Sequence, residues 1–230
     1  MSDAAQLPLD LGHRAAMEAE DFLVADSNLE AVGWLDRWPE WPAPALVIHG
    51  PAGCGKTHLT QVWRARSGAV SLAPGDLAHA DLPALMGQGG AVAIDDADGL
   101  SGEAEEHALF HLYNMARDSG GHLLLTARIP PARWPVRLPD LASRLRAAPT
   151  VAVEGPDDVL LSAVLVKLFA DRQLRVGTDV IGFVVPRMER SFAAARRLVA
   201  DLDAASLAYR RPITVPLART VMGRRQEERD

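Results

Sequence analysis

The 230-residue chain predicts an α/β fold: a parallel sheet covered on both faces, followed by a smaller all-helical unit. Three observations carry that expectation. The runs Ala45–Ile48, Ala91–Ile94, Leu123–Leu125 and Val151–Val153 are short and continuously apolar, as strands buried on both faces are. Stretches with apolar residues at helical spacing separate them. After Glu154-Gly155-Pro156 only helical patterns remain.

In chain order, residues 1–12 read as a flexible tail, 13–154 as the α/β unit and 155–230 as the helical unit. Glu30 to Trp38 places Ala31, Leu35 and Trp38 on one helical face, with Ser27 or Asn28 as its N-cap. The proline-rich Trp38-Pro-Glu-Trp-Pro-Ala-Pro ends that helix and leads into strand 45–48. Val70–Leu72 is a short strand and Leu82–Met86 a short helix. Glu103–Ser119 is a longer helix, its apolar face marked by Ala104, Ala108, Leu112, Met115 and Ala116. Three helices, 158–172, 178–186 and 191–208, follow the sheet, and a short final segment starts near Pro212.

A hydrophobic share of 48% is ample for a core, and no apolar run is long enough to span a bilayer. The first residues lack the basic and apolar regions of a signal peptide. One cysteine, Cys54, excludes an internal disulfide and fits a reducing cytoplasm. At a helix start its thiol pKa could be lowered; the simpler reading is a small residue tolerated in a loop. A net charge of −6 argues against a large nonspecific nucleic-acid surface, although arginine is concentrated after residue 128.

Residues 50–57, Gly-Pro-Ala-Gly-Cys-Gly-Lys-Thr, match the G-x-x-x-x-G-K-[ST] phosphate-binding loop between a strand and a helix start. Gly50, Gly53 and Gly55 let successive N–H groups converge on one anion, and the helix N-terminus adds its dipole. Pro51, Ala52, Cys54 and His58 complete the expected nucleotide-binding stretch. Lys56 would reach the β- and γ-phosphates of ATP or ADP, and the Thr57 hydroxyl would hold Mg2+. Val92-Ala-Ile-Asp95-Asp96 has the form of a Walker B strand: Asp95 would bind Mg2+, and Asp96 would orient or deprotonate the attacking water. Strand 123–126 is expected between the strands carrying those motifs. Thr126 at its end either senses the γ-phosphate or simply ends the strand. Arg144, in Leu141-Ala-Ser-Arg-Leu145, lies just before the last strand, where an arginine can serve as a finger in trans.

Together these features resemble the AAA+ ATPases. Asp21-Phe22-Leu-Val-Ala-Asp-Ser27-Asn28, Thr126-Ala-Arg-Ile-Pro-Pro and Leu141-Ala-Ser-Arg144 resemble segments of the DnaA family of replication initiators, from about residue 20 to about 222. The resemblance implies an adenine site near Phe22, Leu23, Val24 and Asn28 and against the helical lid. It also implies that Arg144 acts as an arginine finger on DnaA. Gln6-Leu7-Pro8-Leu9-Asp10-Leu11 resembles the Q-L-x-L-x-L peptides that bind the β sliding clamp; Gln6 would hydrogen-bond at the rim while Leu7, Leu9 and Leu11 enter the pocket. The implied protein is a nucleotide-bound regulator that sits on the clamp, touches DNA only through it, and stimulates hydrolysis of DnaA-bound ATP. A homo-oligomer is compatible with this reading. Its rivals are an autonomous AAA+ ATPase or helicase loader, and a minimal DNA-binding initiator paralogue. The chain departs from the initiator pattern at Arg128, at Asp140 and at Ala193, where a lid sensor arginine is expected. Arg190, Arg196 or Arg197 would compensate, or the sensor is absent; weak intrinsic hydrolysis is the expectation.

Overall fold

The computed structural model of the chain describes residues 24–87, 90–100 and 102–227, with side chains to 223. Helix α1 (Leu29–Asp36) leads into β1 (Ala45–His49), the phosphate loop and α2 (Lys56–Ser67). Strand β2 (Val70–Leu72), α3 (Leu82–Met86) and β3 (Ala91–Ile94) follow, then α4 (Glu103–Ser119), β4 (His122–Ala127), α5 (Pro139–Ala147) and β5 (Thr150–Ala152). The lid is built from α6 (Asp158–Asp171), α7 (Thr178–Val184), α8 (Phe192–Tyr209) and α9 (Val215–Glu227).

The strands form one parallel sheet in the order β2-β3-β4-β1-β5, so β4 lies between the strands carrying the two motifs, as expected. Alternation along each strand divides the core between two faces. Val47, Leu123 and Leu125 face Leu109, Leu112, Leu141 and Leu145 of α4 and α5. Leu46, Ile48 and Leu124 face Leu59 and Trp63 of α2 and Val32 and Leu35 of α1. Trp41 stacks on Trp63 with centroids 5.5 Å apart, and His122 meets Trp38 and Trp41 edge-on. A third core, including Leu161, Leu165, Phe169, Leu198 and Leu202, holds the lid together.

Helix boundaries follow local chemistry. Asp157 caps α6 through Leu160 N (2.7 Å), and Ser191 caps α8 through Ala194 N (3.1 Å). Asn28 occupies the N-cap position of α1, but its side-chain oxygen accepts from Ala25 N instead (3.0 Å).

The structure differs from the sequence expectation at several places, among them α1, which ends at Asp36 and leaves Trp38 beyond it, and α7, which ends at Val184. Leu141–Leu145 belongs to a helix, α5. The final segment is a helix of 13 residues rather than a short stretch. Strand β5 starts and ends one residue earlier than expected.

Candidate functional site

Register brings the motif residues together. Ile94 pairs with Leu125, so the next residues, Asp95 and Thr126, emerge side by side at the carboxyl ends of β3 and β4. His49, the last residue of β1 before the phosphate loop, pairs with Ala127 of β4, and Gly50 N donates to Ala127 O (3.1 Å). This is the edge where open parallel sheets bind ligands.

The loop is tight. A Cβ at Gly50 would lie 2.1 Å from the Val153 carbonyl oxygen. Gly53 (φ 77°) and Gly55 (φ 105°) occupy the left-handed region, which costs an L side chain roughly 1–2 kcal/mol. Lys56 is only 7% exposed, and its Nζ donates to the carbonyls of Gly50 (2.8 Å) and Pro51 (3.0 Å). Thr57 Oγ1 donates to Asp95 Oδ2 (3.0 Å). The fully buried Thr126 hydroxyl donates to Asp95 Oδ1 and accepts from Asp96 N (3.2 Å). Thr126 therefore braces both Walker B aspartates, an arrangement that its position at a strand end did not reveal. Asp96 itself is exposed, in a left-handed turn (φ 50°) that aspartate tolerates.

A cavity of about 450 Å³ lies between this loop and the lid. Asn28, Gly53, Cys54, Gly55, Lys56, Thr57 and His58 line one side of it. Leu160, Val164 and Leu168 of α6, four residues apart, give the opposite side an apolar stripe, joined by Phe192 and Arg196 of α8. Of these, the α6 stripe and Phe192 were not singled out from sequence; the four-residue spacing on α6 was the available signal for the stripe. Of the three lid arginines considered, Arg190 pairs with Asp158 (3.0 Å) and Arg197 approaches Glu189 (3.9 Å). Arg196 lines the cavity. Pro51 and Ala52 are exposed on the outside of the loop, and Val24 packs against the core under α1. Phe22, Leu23 and the tail residues Gln6, Leu7, Leu9 and Leu11 lie outside the described residues.

Burial pushes the Cys54 thiol pKa up despite the neighbouring Lys56 charge, so this cysteine is a small packed residue rather than an activated thiolate. Burial, with Lys56 second, holds the His49 pKa below its ordinary value. The donor set fits Mg2+ with a polyphosphate: a hydroxyl and a carboxylate face each other beside a ring of loop amides. Among the described residues no cluster of three or more His, Cys, Asp or Glu is arranged as a metal cage. A cation here would therefore share its coordination with phosphates and water.

Arg144 stands apart from this group and does not line the cavity. Its Nη1 donates to Asn114 Oδ1, and the guanidinium lies over the rings of Phe110 (4.7 Å) and Tyr113 (5.5 Å), all on α4. The buried Glu106 carboxylate, also on α4, accepts from Arg137 N (3.1 and 3.0 Å) and Leu138 N (2.7 Å) at the start of α5. One helix thus fixes both the start of α5 and the arginine it carries.

Residues 160–222 match the family model described as Hda, lid domain. A Haemophilus influenzae protein, itself described only as uncharacterized, is 27% identical over 227 residues, covering 94% of this chain and 98% of its own. Among solved structures, domain III of the Thermotoga maritima replication initiation protein DnaA superposes with a TM-score of 0.74 at 20% identity, over 88% of this chain and 93% of that one. AMPPCP-bound DnaA from Aquifex aeolicus gives a TM-score of 0.65 at 17% identity, over 79% of this chain and 63% of that one. No described helix is long and apolar enough to cross a membrane. The chain thus shares its fold with DnaA domain III, and its helical unit matches the Hda lid model over residues 160–222.

Proposed function

We propose that this protein is a nucleotide-bound regulator of replication initiation that stimulates hydrolysis of DnaA-bound ATP. The observation that carries the reading is the placement of Arg144. It is held on the α4–α5 face and is not among the residues lining the chain's own cavity, as suits an arginine that serves a neighbouring molecule's nucleotide. The Hda-type lid supports the same reading. In it, ADP or ATP occupies the cavity between loop and lid. Lys56 and the loop amides hold the phosphates, Arg196 approaches them from the lid, and the α6 stripe covers the base. Bound Mg2+ would be held by Thr57 and Asp95 and would neutralise phosphate charge. Asp95, Asp96 and Thr126 leave room for weak hydrolysis by the chain itself. Gln6, Leu7, Leu9 and Leu11 engage the β sliding clamp, which ties the activity to replicated DNA in the cytoplasm and prevents re-initiation.

Two measurements test this. Surface plasmon resonance on immobilised β clamp should show saturable binding that disappears when residues 1–12 are removed. Hydrolysis of DnaA-bound ATP should accelerate in the presence of the protein and loaded clamp, and Arg144→Ala should abolish that acceleration while leaving clamp and nucleotide binding intact. Normal stimulation by Arg144→Ala would sink the reading.

A further inference from the structure

We infer that His107 and His111 form an open two-histidine chelate for a divalent transition cation, Zn2+, Ni2+ or Cu2+, on the exposed face of α4. The inference stands independently of the reading of Arg144 and concerns a site other than the Mg2+ donors Thr57 and Asp95.

Spacing makes the chelate. Residues 107 and 111 lie one turn apart on a single face of α4 (Glu103–Ser119). Side chains four apart on a helix have Cβ atoms about 5–6 Å from each other, so two imidazoles can share one ion at metal–nitrogen distances of about 2.1 Å. The same i, i+4 placement supplies the two histidine ligands of helical zinc motifs. Among the described histidines no other pair has it. Both side chains are exposed, so an ion reaches them directly from solvent, whereas His49 and His122 are half-buried and His58 lines the nucleotide cavity.

Glu103 supplies orientation. Its carboxylate lies 3.6 Å from His107 Nε2, and a carboxylate beside a ligating imidazole fixes the ring and raises its basicity. It is not a third ligand, because the eight residues between it and His111 span about 12 Å along the helix axis. This agrees with the lack of any cluster of three or more metal-binding side chains among the described residues. Water therefore completes the coordination sphere. Imidazole nitrogen favours Zn2+, Ni2+ and Cu2+, while Mg2+ and Ca2+ prefer oxygen, so a phosphate-bound Mg2+ does not compete for this pair.

The position gives occupancy a consequence. His107 and His111 alternate with Phe110 and Asn114, the residues that hold the Arg144 guanidinium, and these spacings of three and four put all of them on one side of α4. A bound cation would add two positive charges to the face that presents Arg144.

The test is calorimetry on the untagged full chain in excess MgCl2, titrated with ZnCl2 and separately with NiCl2. One ion should bind per chain. His107→Gln and His111→Gln should each weaken binding at least about tenfold, and Glu103→Gln should weaken it by less, with circular dichroism unchanged. Electron paramagnetic resonance of the Cu2+-loaded wild-type chain needs no variant and should show two nitrogen ligands. No saturable binding of these cations at about 1 mM overturns the inference, as does affinity retained by both histidine variants. Loss in only one of the two variants overturns the chelate in favour of a single imidazole contact. One ion per two chains overturns it in favour of a site shared between copies.

Discussion

Replacing Glu106 with alanine tests whether α4 holds the start of α5. The side chain is 5% exposed, and its two oxygens receive the amides of Arg137 and Leu138. Truncation leaves both donors without that acceptor; because Arg137 is exposed and water can replace part of the loss, about 1 kcal/mol each is appropriate. Removing negative charge from the α5 N-terminus costs roughly 0.5 kcal/mol more. The one methylene lost, Cγ, adds about 0.8 kcal/mol. Relief of the carboxylate's own desolvation works in the opposite direction and pulls the total toward about 3 kcal/mol. For a chain of this size that corresponds to a fall in Tm of roughly 6–12 °C. Glu106→Gln keeps the shape and one carbonyl oxygen, so it should cost about 1–2 kcal/mol. Thermal and urea unfolding followed by circular dichroism read both variants. An alanine variant within about 0.5 kcal/mol of wild type would show that the cap carries no stability, and the account of how α5 is held would be wrong.

Three further outcomes are expected. Lys56→Ala should lose ADP and ATP binding by calorimetry, because it removes the buried ammonium of the loop; retained binding would remove the nucleotide assignment. Gly53→Ala should lower stability by about 1–2 kcal/mol, since it forces an L side chain to φ 77° with its Cβ 2.6 Å from Ser191 Cβ; an unchanged urea midpoint would mean the lid does not rest there. Burial holds the pKa of both His122 and His49 below its ordinary value, with Lys56 acting second on His49. The unfolded chain therefore takes up protons near pH 6.5 that the folded chain refuses. Their contribution to stability should be constant above that pH and fall as pH drops below it. His122→Gln should reduce the loss, and a urea midpoint for wild type that rises between pH 7.5 and 5.5 would contradict this.

The glycine turn between β1 and α2 and the place of Asp95 and Asp96 at the end of β3 were legible in the sequence because their signals are local. The turn needs its glycines, and each motif ends a short apolar strand. Helix α5 was not assigned from sequence although Pro139 at its first position and Asp140 in its first turn are local start signals; its cap alone is remote. Leu138 holds the N-cap position without a side-chain hydrogen bond, and the capping carboxylate comes from Glu106, 32 residues earlier. The same reasoning applies to the lid arginines. Arg190, Arg196 and Arg197 look alike in the sequence, and only the tertiary placement of Asp158 and Glu189 separates them. Thr126 shows an intermediate case. Its place between the two motif strands was expected, but its bonds to Asp95 and Asp96 arise from the register of β3 against β4.

The seat of the lid on the phosphate loop bears on time as well as on shape. Phe192 N donates to Gly53 O (3.1 Å), Ser191 fills the space over Gly53, and the Phe192 ring closes over Gly55. For a nucleotide held by that loop, the lid is a door hinged onto the binding surface itself. Weakening that contact, for example by Phe192→Ala, should then speed nucleotide departure. Such a molecule would keep one nucleotide through many encounters with its partners, and exchange would become an event that can be regulated by whatever grips the lid.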